Sequence, residues 1–377
     1  MKIYLFVLGR DPELAIAEIK AYLEAKNIEF LVMSSNYKIA AIKTELNNPE
    51  AVINELGGTV KIAEVISTTN LLDDVERNLE NSELYRGTGN KAEYCITAND
   101  TRLESFVRDY LKDYFKRIRV KAVYKKDAEP TRLLRKNFKD KMIDIVIYKN
   151  MIGRTLAVTD VLETKYRDVK RPSVDYMKVI SIRLAKILIN LSKVKENGLL
   201  VDPFCGSATI LQEALLRNIN VVGIDVDNES IKQSRENLEW LRKNYKIKSE
   251  YRLYNLDSRN ITKVTKDIDA VVTEPYLGPY VRKLPNISQA RELVMELRGL
   301  YYNFIKEAFK VLKPDGRIVM VIPRIRTMEN RQVVIDFENL AKEAGFELAY
   351  KPILYGYKNN KIGREIYVLE KIKKYSE

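Results

Sequence analysis

LLVDPFCGSATILQEAL, residues 199–215, is the stretch on which the fold turns. Leu199-Leu200-Val201 reads as a short buried strand that ends in Asp202. A turn follows from Asp202 to Ser207, and a helix starts at once over 208–217. Gly206 lets the backbone come close to a ligand, and Ser207 and Ala208 keep the turn small. The unpaired N–H groups of the new helix end face whatever is bound there. A dinucleotide turn needs G-x-G-x-x-G and a phosphate loop needs G-K-[ST]; neither is present. The next strand, over 221–226, ends in Ile224-Asp225-Val226-Asp227. An acidic residue in that place grips the two hydroxyls of a ribose. A third strand, over 251–256, ends in Asp257-Ser258, within reach of an adenine amino group.

Strands alternate with helices on both sides of this stretch. An amphipathic helix over 178–191 precedes it, and helices are expected over 228–242, 289–312 and 331–344. Further strands fall at 268–273 and 317–322, with a closing β pair over 346–355 and 365–369. The order predicts a parallel, doubly wound sheet. Upstream the pattern differs. Residues 1–70 read β-α-β-β-α-β, a ferredoxin-like order with a helix opened by Asp11-Pro12-Glu13. Residues 71–164 form a second unit, with an amphipathic basic helix over 102–115 and strands at 94–98, 119–124, 142–148 and 151–158. Residues 165–177 read as a basic linker containing Pro172, and the doubly wound domain spans 178–377.

VDPFCGSAT followed by GIDVD resembles motif I and its successor in S-adenosylmethionine-dependent methyltransferases. The resemblance is to the branch acting on exocyclic amino groups of nucleic-acid bases. Ala208 stands where the third position of G-x-G is usual. The resemblance implies a Rossmann-like, seven-stranded class I methyltransferase domain using S-adenosyl-L-methionine. It assigns Asp202, Pro203, Phe204, Gly206, Ser207, Asp225, Val226, Asp257 and Ser258 to the cofactor. Cys205 reads as a small buried residue of the turn.

The fourth strand runs into Thr273-Glu274-Pro275-Tyr276-Leu277-Gly278-Pro279, where amino methyltransferases carry [DNS]-P-P-[YFW]. An amine conjugated to a base is a poor nucleophile. An acceptor bonded to its N–H groups draws the lone pair out of conjugation, a rigid proline aims the backbone carbonyl, and an aromatic ring stacks on the extruded base. Matched on Pro275-Tyr276, Thr273 takes the Asp/Asn place; with the register shifted by one, Glu274 is the acidic acceptor. No cysteine stands in this loop, as a cytosine-C5 enzyme would need.

MKIYLFVLGRDPELAIAEIKAYL is similar to the amino-terminal ferredoxin-like domain of the Trm-G10/Trm-eleven family of transfer-RNA guanine-N2 methyltransferases. The middle of the chain looks like that family's RNA-binding THUMP domain. KRPSVDYMKVISIRLAKILINLSKV resembles its linker, in which Arg171 and Pro172 lie near the cofactor, and GREIYVLEK its tail. The family usually has D-P-P-Y-G where this chain has T-E-P-Y-L-G. The resemblance implies methylation of guanine N2 in transfer RNA, at position 10, with a small activator subunit needed in some relatives. A different guanine, an adenine N6, or an RNA-binding protein without turnover are the alternatives.

Charge supports the RNA reading. Of the 377 residues, 65 are Lys or Arg and 52 Asp or Glu, a net charge of +13. Residues 1–101 carry −6, and residues 102–149 carry +8. A basic block beside an acidic stretch suits a polyanion, with Lys and Arg gripping phosphates instead of reading bases. Arg132, Arg135, Lys136 and Lys139 are the candidates, and Tyr110, Tyr114, Phe115, Tyr124 and Phe138 are interleaved with the block. The chain has no histidine, which excludes Ser-His-Asp and Cys-His catalysis. Cys95 and Cys205 are far apart, so neither structural zinc nor a disulfide framework is expected, and a reducing cytoplasm is. No metal is expected, and no apolar run is long enough to span a membrane.

Overall fold

The computed structural model describes residues 1–98, 101–126, 129–135, 142–173, 180–279, 283–356 and 360–372. The chain divides into two compact units, Met1–Ile16 with Asn27–Arg167, and Ala17–Lys26 with Asp168–Glu377.

The chain starts β1 (Lys2–Leu8), α1 (Pro12–Ala25), β2 (Phe30–Ser35), β3 (Ile39–Thr44), α2 (Pro49–Glu55) and β4 (Thr59–Ser67), with α1 divided between the two units after Ile16. α2 begins where the Asn48 side chain accepts from the Ala51 N–H, with Pro49 in the first turn. α3 (Leu72–Asn81), β5 (Lys91–Ala98), α4 (Thr101–Arg117), β6 (Lys121–Lys125), α5 (Pro130–Arg135), β7 (Met142–Tyr148), β8 (Met151–Val158) and α6 (Val161–Lys170) follow. The strands make one eight-stranded sheet in the order β2-β3-β1-β4-β8-β7-β5-β6. α6 thus occupies the first half of the segment expected to be a linker. Among the interleaved aromatics, Tyr110 and Phe115 are core residues, 7% and 2% exposed. Lys61 and Asp144 form a buried ion pair at 2.9 Å, and Thr155 also donates to Asp144 at 2.6 Å. The pair links β4 and β7 across the intervening β8, so a register slip would strand a buried charge.

The second unit contains α7 (Ile182–Leu191), β9 (Leu199–Asp202), α8 (Thr209–Leu215), β10 (Asn220–Asp225), α9 (Asn228–Asn244) and β11 (Tyr251–Asn255). A 3-10 helix (Ser258–Lys263), β12 (Ile268–Thr273), α10 (Ile287–Val311), β13 (Leu312–Arg326) and β14 (Gln332–Val334) come next. The end is α11 (Phe337–Glu343), β15 (Phe346–Leu348), β16 (Ile353–Tyr355) and β17 (Ile362–Lys371). The sheet order is β11-β10-β9-β12-β13-β17-β15, with β14 paired to β13 and β16 to β17. β11 to β13 are parallel and β17 returns antiparallel to β13. Val201, Val222, Val271 and Ile318 are fully buried, as strands covered on both faces require. This is a mixed α/β fold with two sheets.

One helix expected from the sequence is corrected. Residues 331–336 are not helical; Gln332–Val334 pair with β13 instead. Asp336 accepts from the Asn339 N–H and starts α11 at Phe337. The cap and the β-branched Val333-Val334 outweigh the helical spacing.

Candidate active site

The carboxyl ends of β9, β10 and β12 meet at one place because these strands are parallel neighbours. Asp202 closes β9 and is 2% exposed. Its Oδ1 accepts from the Thr273 hydroxyl at 2.7 Å and from the Phe204 backbone N–H at 3.2 Å. Burial pushes the Asp202 carboxyl up to about 7. The bonds from Thr273 and Phe204 work against that rise, and the charges of Asp225 and Glu274 add to it.

The turn after Asp202 is held from behind. The Gly206 N–H donates to Asp225 Oδ2 at 2.9 Å, and the Asp227 N–H to Asp225 Oδ1 at 2.9 Å. Ser234 Oγ donates to the Gly206 carbonyl at 2.6 Å. Asn237, fully buried on α9, donates to the carbonyls of Ser207 (2.9 Å) and Ser173 (2.7 Å), and accepts from the Ser173 N–H at 3.0 Å. Arg171 donates to Thr209 Oγ1 at 2.7 Å and pairs with Asp168. Pro172, beside it, is exposed. Gly206 (φ +49°) and Ala208 (φ +68°) both adopt left-handed backbone. Ala208 takes up this backbone without being a glycine, at a cost of about 1 kcal/mol. A Cβ on Gly206 would meet nothing within 4 Å, so the space in front of it is open. Ile180, Asp202, Phe204, Cys205, Gly206, Ser207, Thr209, Ile210 and Glu274 line the crevice there.

The loop after β12 supplies the other wall. Thr273 is fully buried with its hydroxyl turned to Asp202, whereas Glu274 lines the crevice. Glu274 Oε1 accepts from Arg364 Nε at 2.5 Å. Pro275 is buried, and Tyr276 is 48% exposed. The Tyr301 hydroxyl, from the middle of α10, donates to the Tyr276 carbonyl at 2.6 Å. The chain then turns at Gly278 (φ +107°), where a Cβ would strike Leu293 at 2.8 Å.

Other residues singled out from the sequence take varied places. Pro203 is buried, and Phe204 packs edge-on against Phe304, centroids 5.7 Å apart. Val226 is 74% exposed beside Asp225. Asp257 accepts from the Arg259 side chain and N–H, and the side-chain hydrogen bond holds its carboxyl below the usual range. Ser258 is buried. Burial raises the Cys205 thiol well above its ordinary value, which suits a packing residue and not a nucleophile. Arg132 and Arg135 fall in α5, while Lys136, Lys139 and Phe138 lie outside the described residues. Sequence reasoning missed Arg364, Asn237 and Tyr301, which act on residues far away in the chain. Among the described residues no cluster of acidic or cysteine side chains could hold a metal ion, and no helix is long and apolar enough to cross a membrane.

Comparison with known proteins gives this geometry a chemistry. Residues 170–339 match the family model for an RMKL-like methyltransferase domain, and residues 50–236 match a DNA methylase model. The tRNA (guanine(10)-N2)-dimethyltransferase of Methanothermobacter thermautotrophicus is 27% identical over 88% of this chain and 91% of its own length. The chain is thus similar to this methyltransferase over most of both lengths. The Pyrococcus abyssi protein of the same name is 23% identical over 97% of this chain and 99% of its own. In fold, the chain resembles the crystal structure of TrmN from Thermus thermophilus, with a TM-score of 0.53 and 18% identity over 98% of this chain and 100% of that one.

Proposed function

We infer that the protein transfers a methyl group from S-adenosyl-L-methionine to the exocyclic N2 of a guanosine in transfer RNA, at position 10. The observation that carries this is the meeting of Asp202, Asp225 and Glu274 around the open space at Gly206. Three carboxylates suit a ligand that carries a sulfonium and an ammonium. Bound there, the cofactor supplies an electrophilic methyl group on a positively charged sulfur.

The chain's own residues supply the rest. Asp202, with Thr273 and Phe204 behind it, orients the turn and balances the ligand's positive charge. Asp225, with both oxygens fixed by backbone N–H groups, is the acid at the end of β10 that grips the ribose hydroxyls. Val226 presents an apolar surface for a base. Asp257 and Ser258 border the adenine end, and Arg171 braces the helix behind the turn.

Glu274 accepts from the target amine, Pro275 fixes the loop, and Tyr276 stacks on the base. A carboxylate only accepts hydrogen bonds. Guanine presents N1–H and N2–H₂ side by side, both donors, whereas adenine presents an acceptor at N1 next to its amine. The acid therefore favours guanine over adenine.

In this reading residues 1–70 are a ferredoxin-like domain and 71–164 a THUMP domain, joined by 165–177 to the class I methyltransferase domain. The basic stretch 102–149, with Arg132, Arg135, Lys136 and Lys139, grips transfer-RNA phosphates, and the setting is the cytoplasm. The decisive assay incubates the protein with labelled S-adenosylmethionine and unmodified transfer RNA, then identifies the nucleoside. Label in N2-methylguanosine or its dimethyl form is expected. Label in another base, or cofactor binding with no transfer, overturns the assignment.

Cofactor affinity should also depend on pH. With its carboxyl near 7, Asp202 is protonated below that pH and charged above it. Affinity for a cationic ligand therefore rises with pH through about 7, by up to roughly tenfold per unit below the midpoint. Thr273→Val removes the hydroxyl that favours the charged form, so the midpoint should move upward. Calorimetric titrations from pH 5.5 to 8.5 read both effects. A flat profile shared by the two proteins counts against Asp202 as the cation's partner.

A further inference from the structure

We propose that Arg364 is a positioning residue that aims Glu274 at the target amine. This rests on the functional reading above and names a group that the T-E-P-Y loop needs from outside itself. Glu274 leaves β12 one residue after Thr273, and Arg364 stands on β17, with β13 between the two strands. Thr273 is opposite Met320 on β13, and Arg364 is opposite Pro323. The ion pair therefore crosses β13 near Met320–Pro323. Glu365, the next residue on β17, pairs instead with Arg324, as alternation of side chains along a strand requires.

The pairing is specific in its atoms. Arg364 donates through Nε to Oε1 of Glu274 at 2.5 Å, and Oε2 makes no hydrogen bond among the described residues. One oxygen is anchored and the other remains for an N–H donor. The pair is mostly shielded, with the Glu274 side chain 11% and that of Arg364 33% exposed. Glu274 also lies close enough to the buried Asp202 to act on its charge. Two acids facing one crevice repel each other, and a guanidinium on the outer one offsets that repulsion. The usual Asp-Pro-Pro-Tyr has a shorter acid one position earlier. With a longer side chain on a shifted register, an outside anchor is what restricts its rotamers.

Single-turnover methylation of transfer RNA by Arg364→Met, Arg364→Lys, Glu274→Gln and the Arg364→Met/Glu274→Gln double variant tests the proposal. The methionine variant should transfer methyl about tenfold or more slowly, with a much smaller change in calorimetric affinity for S-adenosylmethionine and an unchanged KM for transfer RNA. Lysine, which keeps the charge and loses the planar fork, should recover part of the rate. Once Glu274 is glutamine, losing Arg364 should cost little more. Transfer by Arg364→Met within twofold of the parent, or losses in the double variant that multiply independently, overturns the proposal. If the methionine variant melts early, the lysine variant decides: no loss in rate, or equal losses in rate and cofactor affinity, overturns it. Failure of the parent protein to label transfer RNA overturns the functional reading itself and is seen before any variant is made.

Discussion

Asp202→Ala should bind S-adenosylmethionine at least about a hundredfold more weakly than the parent protein, equivalent to the ~3 kcal/mol that a charge-assisted hydrogen bond supplies in a buried site. The substitution removes a carboxylate that lines the crevice at Gly206. It also leaves the Thr273 hydroxyl and the Phe204 N–H, both bonded to Asp202 in the fold, without their acceptor. Asp202→Asn separates the two effects. It keeps an acceptor in place and loses only the charge, so its deficit should be large at pH 8.5 and small at pH 5.5, where the parent carboxyl is itself protonated. Calorimetry reads the affinities directly. Unchanged affinity in Asp202→Ala, or a deficit in Asp202→Asn that ignores pH, would remove this residue from the binding site.

Glu274→Gln should weaken that affinity far less than Asp202→Ala does, while slowing methyl transfer by about a hundred- to a thousandfold, the loss expected when one preorganised electrostatic partner is removed. The amide is nearly isosteric and its oxygen can still accept from Arg364. It lacks the charge that draws electron density onto the amine, and half of its polar end now donates towards a donor. Rapid-quench single turnover isolates the transfer step from product release. A rate within a few-fold of the parent would shift the task of accepting the amine hydrogens to the backbone carbonyls of Glu274 and Pro275.

The sequence is a good guide where a signal is local. β12 falls at 268–273 as its apolar run predicts, and the strand–turn–helix at 199–215 lies where one glycine between a buried run and a helix places it. Val333 and Val334 show the limit, since three residues on a sheet edge offer too short a pattern to tell strand from helix. At the candidate site the motif does not say which of Thr273 and Glu274 faces the crevice. That depends on strand adjacency: β9 beside β12 brings a hydroxyl and a carboxylate together from 71 positions apart. Arg364 was hidden for the same reason, 90 positions from its partner with a whole strand between them. Nothing about an arginine in G-R-E-I-Y marks it until β17 is known to return antiparallel.

Asn237 ties α9 to the Ser207 carbonyl, and the chain's single tryptophan, Trp240, lies three residues further along the same helix against Tyr245. A lone indole within one helical turn of that tether is a built-in optical reporter. Its emission can follow ligand uptake in stopped flow without dyes, labels or any change to the polypeptide.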